Sequence, residues 1–354
     1  MQMIVLIGKM YEENKNNGPG NVLLNLCSNL QKNGVNFSTI FKNEQTSTGI
    51  FLKRLWREVF CSSNRIINVH TDGFLIPLLV MIISKFNHKN TYYLTVHGIY
   101  AIEAGMSGKV KSRYVFLEKL LYRNFQNIIC VSEKLKNDVA MYFHRTQNVD
   151  VIYNGVQTLD AVKTKSLKDE IDKKITFISV GGIKQRKGIE ELLEAASRLK
   201  KENIPYYITI YGGCDSEEYL KWFKDELNKR GLYNKVSYEG NIGDKSLLYN
   251  KYVEADFQLC LSRYDTFNVA VLESMLVGCP VIVSEQCGAA ELIESKEGFV
   301  VNLENCQEDI LKIAKDFLQD RFNYKDMSLR AICKAKKNDW SEVTKRYVHY
   351  FSKD

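Results

Sequence analysis

SRYDTFNVAVLESMLVGCPVIVSE, residues 262–285, joins two periodicities in one short run. From Asn268 to Gly278 the apolar residues Val269, Leu272, Met275 and Leu276 recur at helical spacing. Gly278-Cys279-Pro280 then stops the helix, and Val281-Ile282-Val283 opens a strand with no polar alternation. A helix feeding a wholly apolar strand is the unit of a parallel sheet covered by helices on both faces. Two carboxylates stand out against this apolar background. Asp265 lies in the polar loop before the helix, and Glu273 lies eight positions later, inside it.

Working outward, the same alternation fills most of the chain. In the first half, strands are expected at 4–7, 35–40, 66–69, 92–96, 128–131 and 151–152, with helical patterns such as 21–32 between them. The pattern breaks at 157–173, QTLDAVKTKSLKDEIDK, which is polar and charged and reads as a linker over 158–173. It restarts at Ile175–Val180 and continues through strands at 207–210, 236–238, 257–261 and 281–283. The last residues, DWSEVTKRYVHYF, have a helical pattern. We therefore expect an α/β chain of two doubly wound, Rossmann-like domains, 1–157 and 174–335, facing a cleft, with 336–354 as a helix returning to the first domain. In such folds ligands bind beyond the carboxyl ends of the strands.

The composition fits this picture. Of 354 residues, 45% are hydrophobic and 26% charged, the balance of an ordinary globular protein. Nine cysteines occur without a C-x-x-C pair or clustered Cys/His spacing, which reads as free thiols in a reducing cytoplasm and no metal site. The opening MQMIVLIGKMYEEN reads as a buried first strand rather than a leader peptide, and the longest apolar run, 74–83, is too short to span a bilayer. The expected location is cytoplasmic, or peripheral on the inner face of a membrane. The net charge of +7 is uneven: residues 1–157 hold 18 basic against 10 acidic side chains, and the remainder is close to neutral. Different partners for the two halves follow.

Strand 175–180 leads into GGIKQRKG, 181–188, where glycines permit a tight turn and Lys184, Arg186 and Lys187 precede a helix. Cations beside helix N–H groups suit a phosphate, although a glycine turn with basic residues is also a common solvated loop. Glu273 lies five residues inside its helix, about 7–8 Å along the axis. A sugar diphosphate nucleotide has that layout: Asp265 at the sugar, the helix start at the diphosphate, Glu273 at the ribose hydroxyls. The same residues would equally serve as a loop cap and an exposed helix position, and spacing alone leaves both open.

The ordered set of segments narrows the choice. GPGN (18–21), TVHG (95–98), IICVSEKLKNDV (128–139), VIYNGV (151–156), GGIKQRKG (181–188), the Asp265-to-Glu273 stretch, CGAAELIE (287–294) and DWSEVTKRY (339–347) together resemble the glycosyl transferases group 1, the family-four retaining glycosyltransferases of GT-B fold. The resemblance implies a nucleotide-sugar donor on the second domain: Glu273 on the ribose, Lys187 on the diphosphate, Asp265 at the donor sugar, and Phe267-Asn268-Val269 offering amides. It places Asn241-Ile242 near the base, with His97 and the Gly18–Gly20 loop closing from the first domain. Asp265, His97 and Lys187 are then the catalytic candidates. Two positions depart from the family: Asp265 replaces its first glutamate, and Gly182 stands where its arginine is usual, so that Arg186 or Lys184 would supply the missing cation.

The implied reaction is retaining transfer of a sugar from a UDP- or GDP-sugar, which is a substrate; no cofactor is expected and no added divalent ion. The acceptor falls to the first domain. There, helix 49–60 carries Lys53, Arg54 and Arg57 with Trp56, and Lys109, Lys111 and Arg113 follow at 108–123. Basic stretches with aromatics suit an anionic membrane surface and a glycan or lipid-linked acceptor of surface polysaccharide synthesis; a core-facing helix with a solvated basic face gives the same pattern. Nucleic acid is not an expected partner. A nucleotide-sugar epimerase on the same fold, or a non-catalytic sugar-binding module, remain as alternatives.

Overall fold

The computed structural model describes residues 2–11, 18–106, 108–158 and 174–352. It divides into two compact units, Met1–Gly155 with Asp339–Asp354, and Val156–Asn338. The segment read as a linker, 158–173, lies outside the described residues except for Thr158.

In the first unit the strands are β1 (Met3–Lys9), β2 (Phe37–Lys42), β3 (Arg65–His70), β4 (Thr91–Val96), β5 (Asn127–Cys130) and β6 (Val149–Val151). They form one parallel sheet in the order β2-β1-β3-β4-β5-β6. The run Ile4–Ile7 is fully buried, as a strand covered on both faces requires. The order reverses direction between β1 and β3, so the crevice for a ligand opens at their carboxyl ends. The helices of this unit are α1 (Gly18–Lys32), α2 (Thr48–Leu55), α3 (Leu75–Ser84), α4 (Tyr100–Met106), α5 (Ser112–Asn124) and α6 (Glu133–Phe143). Helix α2 does not run on regularly to residue 60: Trp56–Phe60 is a wider, π-type turn. Phe51, Leu55 and Val59 face the core, while Leu52 and Trp56 face solvent.

The second unit repeats the construction with β7 (Ile175–Val180), β8 (Tyr206–Tyr211), β9 (Val236–Tyr238), β10 (Phe257–Cys260), β11 (Val281–Ser284) and β12 (Gly298–Val301). The order β12-β11-β10-β7-β8-β9 puts its direction reversal between β7 and β10. Its helices are α7 (Ile189–Lys201), α8 (Glu217–Lys229), α9 (Lys245–Glu254), α10 (Val269–Leu276), α11 (Cys306–Leu318) and α12 (Tyr324–Lys336). The sequence pattern did not disclose β12, whose GFVV is too short to separate from a loop by periodicity. The apolar face of α7 (Ile189, Leu192, Leu193, Ala196, Leu199) is buried against β7, β8 and α11.

Helix α13 (Trp340–Phe351) belongs to the first unit. Its buried side chains Trp340, Val343, Tyr347 and Phe351 share a core with Leu6, Leu23, Leu26 and Tyr93. Trp340 lies flat enough on Gly155 that a Cβ there would stand 2.8 Å from its ring. Asp339 opens the helix by accepting from the Ser341 amide at 2.7 Å. Among the described residues no helix is long and apolar enough to cross a membrane.

Because Trp340 is 2% exposed, truncating it leaves a cavity as well as losing buried area. Trp340→Ala is expected to destabilise the protein by about 3–5 kcal/mol, read as a lowered midpoint in urea unfolding.

Candidate active site

The turns after β7 and β8 carry two glycine pairs, Gly181-Gly182 and Gly212-Gly213, and they pack backbone to backbone. A Cβ on Gly182, where φ is +82°, would lie 1.8 Å from the Gly213 carbonyl oxygen. Ile183 N donates to Gly213 O at 2.9 Å and Asp215 N to Ile183 O at 3.1 Å, tying the two turns together. No side chain fits at 182 in this turn. Gly181 leaves a bare surface along which the Lys187 stem runs, its Cε 3.0 Å from where a Cβ would be.

That stem ends on Asp265. Lys187 Nζ donates to Asp265 Oδ2 at 2.6 Å, and both side chains are largely buried. Arg186 Nη1 reaches the same oxygen at 3.4 Å and the Tyr264 carbonyl at 3.3 Å. Burial opposes the charge of Asp265, but Lys187 and Arg186 outweigh it and hold its carboxyl below the ordinary range. Lys184 is drawn below the usual lysine range by burial and by the positive Arg186 and Lys187, against a smaller pull from Asp215. The three cations of GGIKQRKG thus share one small volume, with Arg186, not Lys184, on the Asp265 carboxylate.

Asp265 is fixed from the other side by the loop after β11. Its amide donates to Gln286 O at 3.1 Å, and Gly288 N donates to Asp265 O at 2.9 Å. Ala289 N and Cys287 Sγ donate to the Phe267 carbonyl at 2.8 and 3.1 Å. Asn268 sits at φ +67° ahead of α10, its Nδ2 3.0 Å from Cys260 Sγ. Val269 opens α10, whose first-turn amides lack intrahelical acceptors and carry the positive end of the helix dipole. Glu273 is in ion-pair contact with Lys245 Nζ at 3.3 Å, at the start of α9. Asn241 neighbours Gly213, whose added Cβ would meet its Oδ1 at 3.6 Å, and Ile242 follows it towards α9. The donor-binding candidates of the second unit therefore border the carboxyl ends of β7, β8 and β10, at the reversal of strand order. The sequence marks 287–294 as a motif segment but gives no role to Lys245 or Cys260, and no spacing rule couples any of them to Asp265 or Glu273.

In the first unit, His97 follows β4 and His70 ends β3, on neighbouring strands. Their rings stack, and His70 Nδ1 lies 3.0 Å from His97 Nε2. His70 Nε2 is buried without a partner. A buried bare lone pair costs less than a buried orphan N–H, so we assign the proton to His70 Nδ1, donating to His97 Nε2. Burial lowers both rings' affinity for a second proton, His97 to about 3 and His70 well below the usual imidazole value, where His97 adds to the effect. Gly18 opens α1 into open space and Gly20 is buried within its first turn.

The basic candidates of this unit divide. Arg54 is not a free surface cation: it donates to the Thr39 carbonyl and contacts Glu58, as does Arg57. Lys53 is exposed, and Trp56 stacks on Phe60 with centroids 4.0 Å apart. Lys109, Lys111 and Arg113 are exposed. Arg113 and Lys111 lie over the Tyr114 ring, which packs with Phe74 and Tyr100.

Two outcomes follow from this geometry. Gly182→Ala is expected to cost on the order of 1–3 kcal/mol from backbone strain alone, and more from the clash with Gly213, read by urea unfolding. The depressed His70 and His97 values mean that the unfolded chain binds protons that the folded one does not, below the ordinary imidazole value of 6.5. Their contribution is full above that pH and is lost as pH falls. In unfolding curves between about pH 6.5 and 5, His70→Gln/His97→Gln should show a shallower loss of stability than the parent.

Comparison with known proteins agrees with this architecture. The glycosyl transferases group 1 model matches residues 162–338 and the glycosyltransferase family 4 model residues 16–158. The chain is 30% identical over 178 residues to an uncharacterized glycosyltransferase of Methanocaldococcus jannaschii, MJ1607, covering 47% of this chain and only 44% of that protein's length. It is 23% identical over 287 residues to the GDP-mannose:cellobiosyl-diphosphopolyprenol alpha-mannosyltransferase of Xanthomonas oryzae, covering 80% of this chain and 72% of that one. The crystal structure of Anabaena Alr3699/HepE in complex with UDP-glucose superposes with a TM-score of 0.74 at 16% identity, over 100% of both chains. Two parallel six-stranded sheets, the matched models over both halves and the shared GT-B architecture establish that this chain belongs to the glycosyl transferases group 1 family.

Proposed function

We propose that the chain is a retaining, hexosyl-type glycosyltransferase that takes its sugar from a UDP- or GDP-sugar and passes it to a glycan or lipid-linked acceptor in surface polysaccharide synthesis. The observation that carries this is the Lys187–Asp265 pair, 2.6 Å long, beside the open N-terminus of α10 and with Glu273 further along the same helix. In the absence of donor the Asp265 carboxylate is Lys187's counter-ion. A diphosphate against α10 gives Lys187 and Arg186 a second anion, and leaves Asp265 oxygens for donor-sugar hydroxyls.

The leaving diphosphate gains charge as the anomeric carbon becomes oxocarbenium-like. Lys187, Arg186 and the first-turn amides of α10 are already oriented to meet that charge, so little reorganisation accompanies the reaction. Phe267, Asn268 and Val269 supply backbone near the phosphate, and Glu273, released from Lys245, accepts from the ribose hydroxyls. Gly182 holds the turn and Asn241-Ile242 border the base. At the carboxyl edge of the first unit's sheet, His97 stays neutral at pH 7, offers a single hydrogen bond and adds no charge. The Gly18–Gly20 start of α1 lies at the same edge.

An acceptor on a lipid carrier is supported by the Xanthomonas relative, whose name specifies a diphosphopolyprenol acceptor, and by the aromatic shelf Phe74–Tyr100–Tyr114 under Lys111 and Arg113. UDP-glucose in the Anabaena structure and GDP-mannose in the relative's name define the donor panel.

The test is thermal stabilisation by UDP-, GDP- and ADP-sugars. One donor class should raise the melting temperature of the parent, and Glu273→Ala should weaken that donor's Kd by about tenfold, the loss of a charge-assisted bond. A parent that none of the panel stabilises, or a Glu273→Ala protein with unchanged affinity, overturns the assignment.

A further inference from the structure

The turn that carries Arg186 and Lys187 has little to hold it from within. Gln185–Lys187 is a single 3₁₀ turn with no fully buried residue, and glycines at positive φ bound it, Gly181 and Gly182 before and Gly188 after. Glycine is the most freely hinged residue, so contacts from outside the turn decide where the two cations point. Gln185 N donates to Asp215 Oδ2 at 3.0 Å. Gly188 rests on Leu261, whose carbonyl oxygen would stand 1.8 Å from a Cβ there. The Arg186 carbonyl accepts from Arg263 N at 2.8 Å.

Arg263 lies between β10 and Asp265, and it holds more than that carbonyl. Its guanidinium reaches past Gly188 to the first turn of α7, where Nε donates to Glu191 Oε1 at 2.6 Å and Nη2 to Glu190 Oε2. The arginine side chain is 27% exposed and that of Glu191 13%, so solvent screens this pair only in part. One planar fork on two carboxylates fixes a direction as well as supplying charge. Glutamates in the first turn of a helix are favoured by its dipole without any partner, so α7 does not need the arginine to keep them. What the arginine adds is a tie from one loop to both sides of the Gly188 hinge. The loop bearing Asp265 and the turn bearing its two cations are thereby joined into one piece.

We propose that Arg263 is a positioning residue for the donor: its bonds to the Arg186 carbonyl, Glu190 and Glu191 set Arg186 and Lys187 at the diphosphate, while Arg263 itself does not touch it. The inference rests on the nucleotide-sugar reading above. Glu190 and Glu191 occupy the guanidinium, which keeps Arg263 from acting as a third phosphate ligand. When the tie is cut, the turn is free to move about its glycines and the cations leave the place where the diphosphate lies. The loss then falls on the phosphate part of the affinity and spares the nucleoside part.

The experiment is calorimetric titration of the full chain with UDP, GDP and their nucleosides uridine and guanosine, in the parent, Arg263→Ala and Glu190→Gln/Glu191→Gln. The two variants cut the same tie from opposite ends and change the local charge in opposite directions. Each should weaken the Kd of the diphosphate that the parent binds by about fivefold or more and leave its nucleoside within about twofold. Combining them should cost no more than either alone, since the tie is already cut. Charge acting at a distance predicts instead that loss of the arginine weakens the diphosphate and loss of the glutamates tightens it, and that pattern overturns the proposal. So does an unchanged diphosphate Kd in Arg263→Ala, or an equal loss of diphosphate and nucleoside, the mark of general damage to the fold. A parent that binds neither UDP nor GDP removes the donor reading and this inference with it, whereas a parent that binds one of them alongside unaffected variants sinks this inference alone.

Discussion

The Lys187–Asp265 ion pair is the contact around which the second unit's functional end is organised. Two oppositely charged side chains at 2.6 Å, both largely buried, persist because each gives the other the counter-charge that water no longer supplies. Reaching that geometry takes several unrelated features. Gly181 must lack a side chain so that the lysine stem can lie on it. Gly182 must take a left-handed conformation against Gly213. The loop after β11 must hold Asp265 by both its amide and its carbonyl. Three strand ends therefore converge on one carboxylate, and the reversal of strand order between β7 and β10 is what brings them together.

The first unit reaches a comparable result with neutral groups. Strands β3 and β4 are neighbours, so the two histidines at their ends meet as a stacked, hydrogen-bonded pair. Burial keeps both uncharged, and the orphan His70 Nε2 decides which ring donates. A charged imidazole there would need a counter-ion; a neutral one gives direction at low cost in desolvation. Nearby, Glu118 is buried beneath α4, accepting from the Tyr100 and Ala101 amides at 2.6 and 2.9 Å. Burial pushes its carboxyl up to about 7, against the pull of those amides. The start of α4 thus rests on an acid that burial brings close to neutrality.

The two edges of that sheet differ in character. The carboxyl edge carries the histidine pair and the aromatic shelf, with cations lying over rings. At the entering edge Arg123 and Arg145 donate to the carbonyls of Phe143, Phe125 and Gln126 near helix ends. Helices α3, α5 and α6 run back against the strands, so their C-termini fall at the entering edge, where basic residues are favoured electrostatically.

The sequence by itself determined the α/β class, the two doubly wound halves and nearly every strand, because alternating apolar strands and 3.6-period helices leave a pattern that needs no knowledge of contacts. It also marked Asp265, Glu273, Lys187 and His97, because their types and order within the motifs carry chemistry independent of distance. Only the tertiary structure decided which cation meets Asp265, that Gly182 admits no side chain, that His70 pairs with His97, and that Arg54 turns inward to Thr39 and Glu58. Each of these depends on how separate strand ends and turns come together. Arg54 and Glu58 are one helical turn apart, but the other partners lie 15 to 79 positions apart, from Arg54 with Thr39 to Arg186 with Asp265, and no local periodicity encodes their meeting.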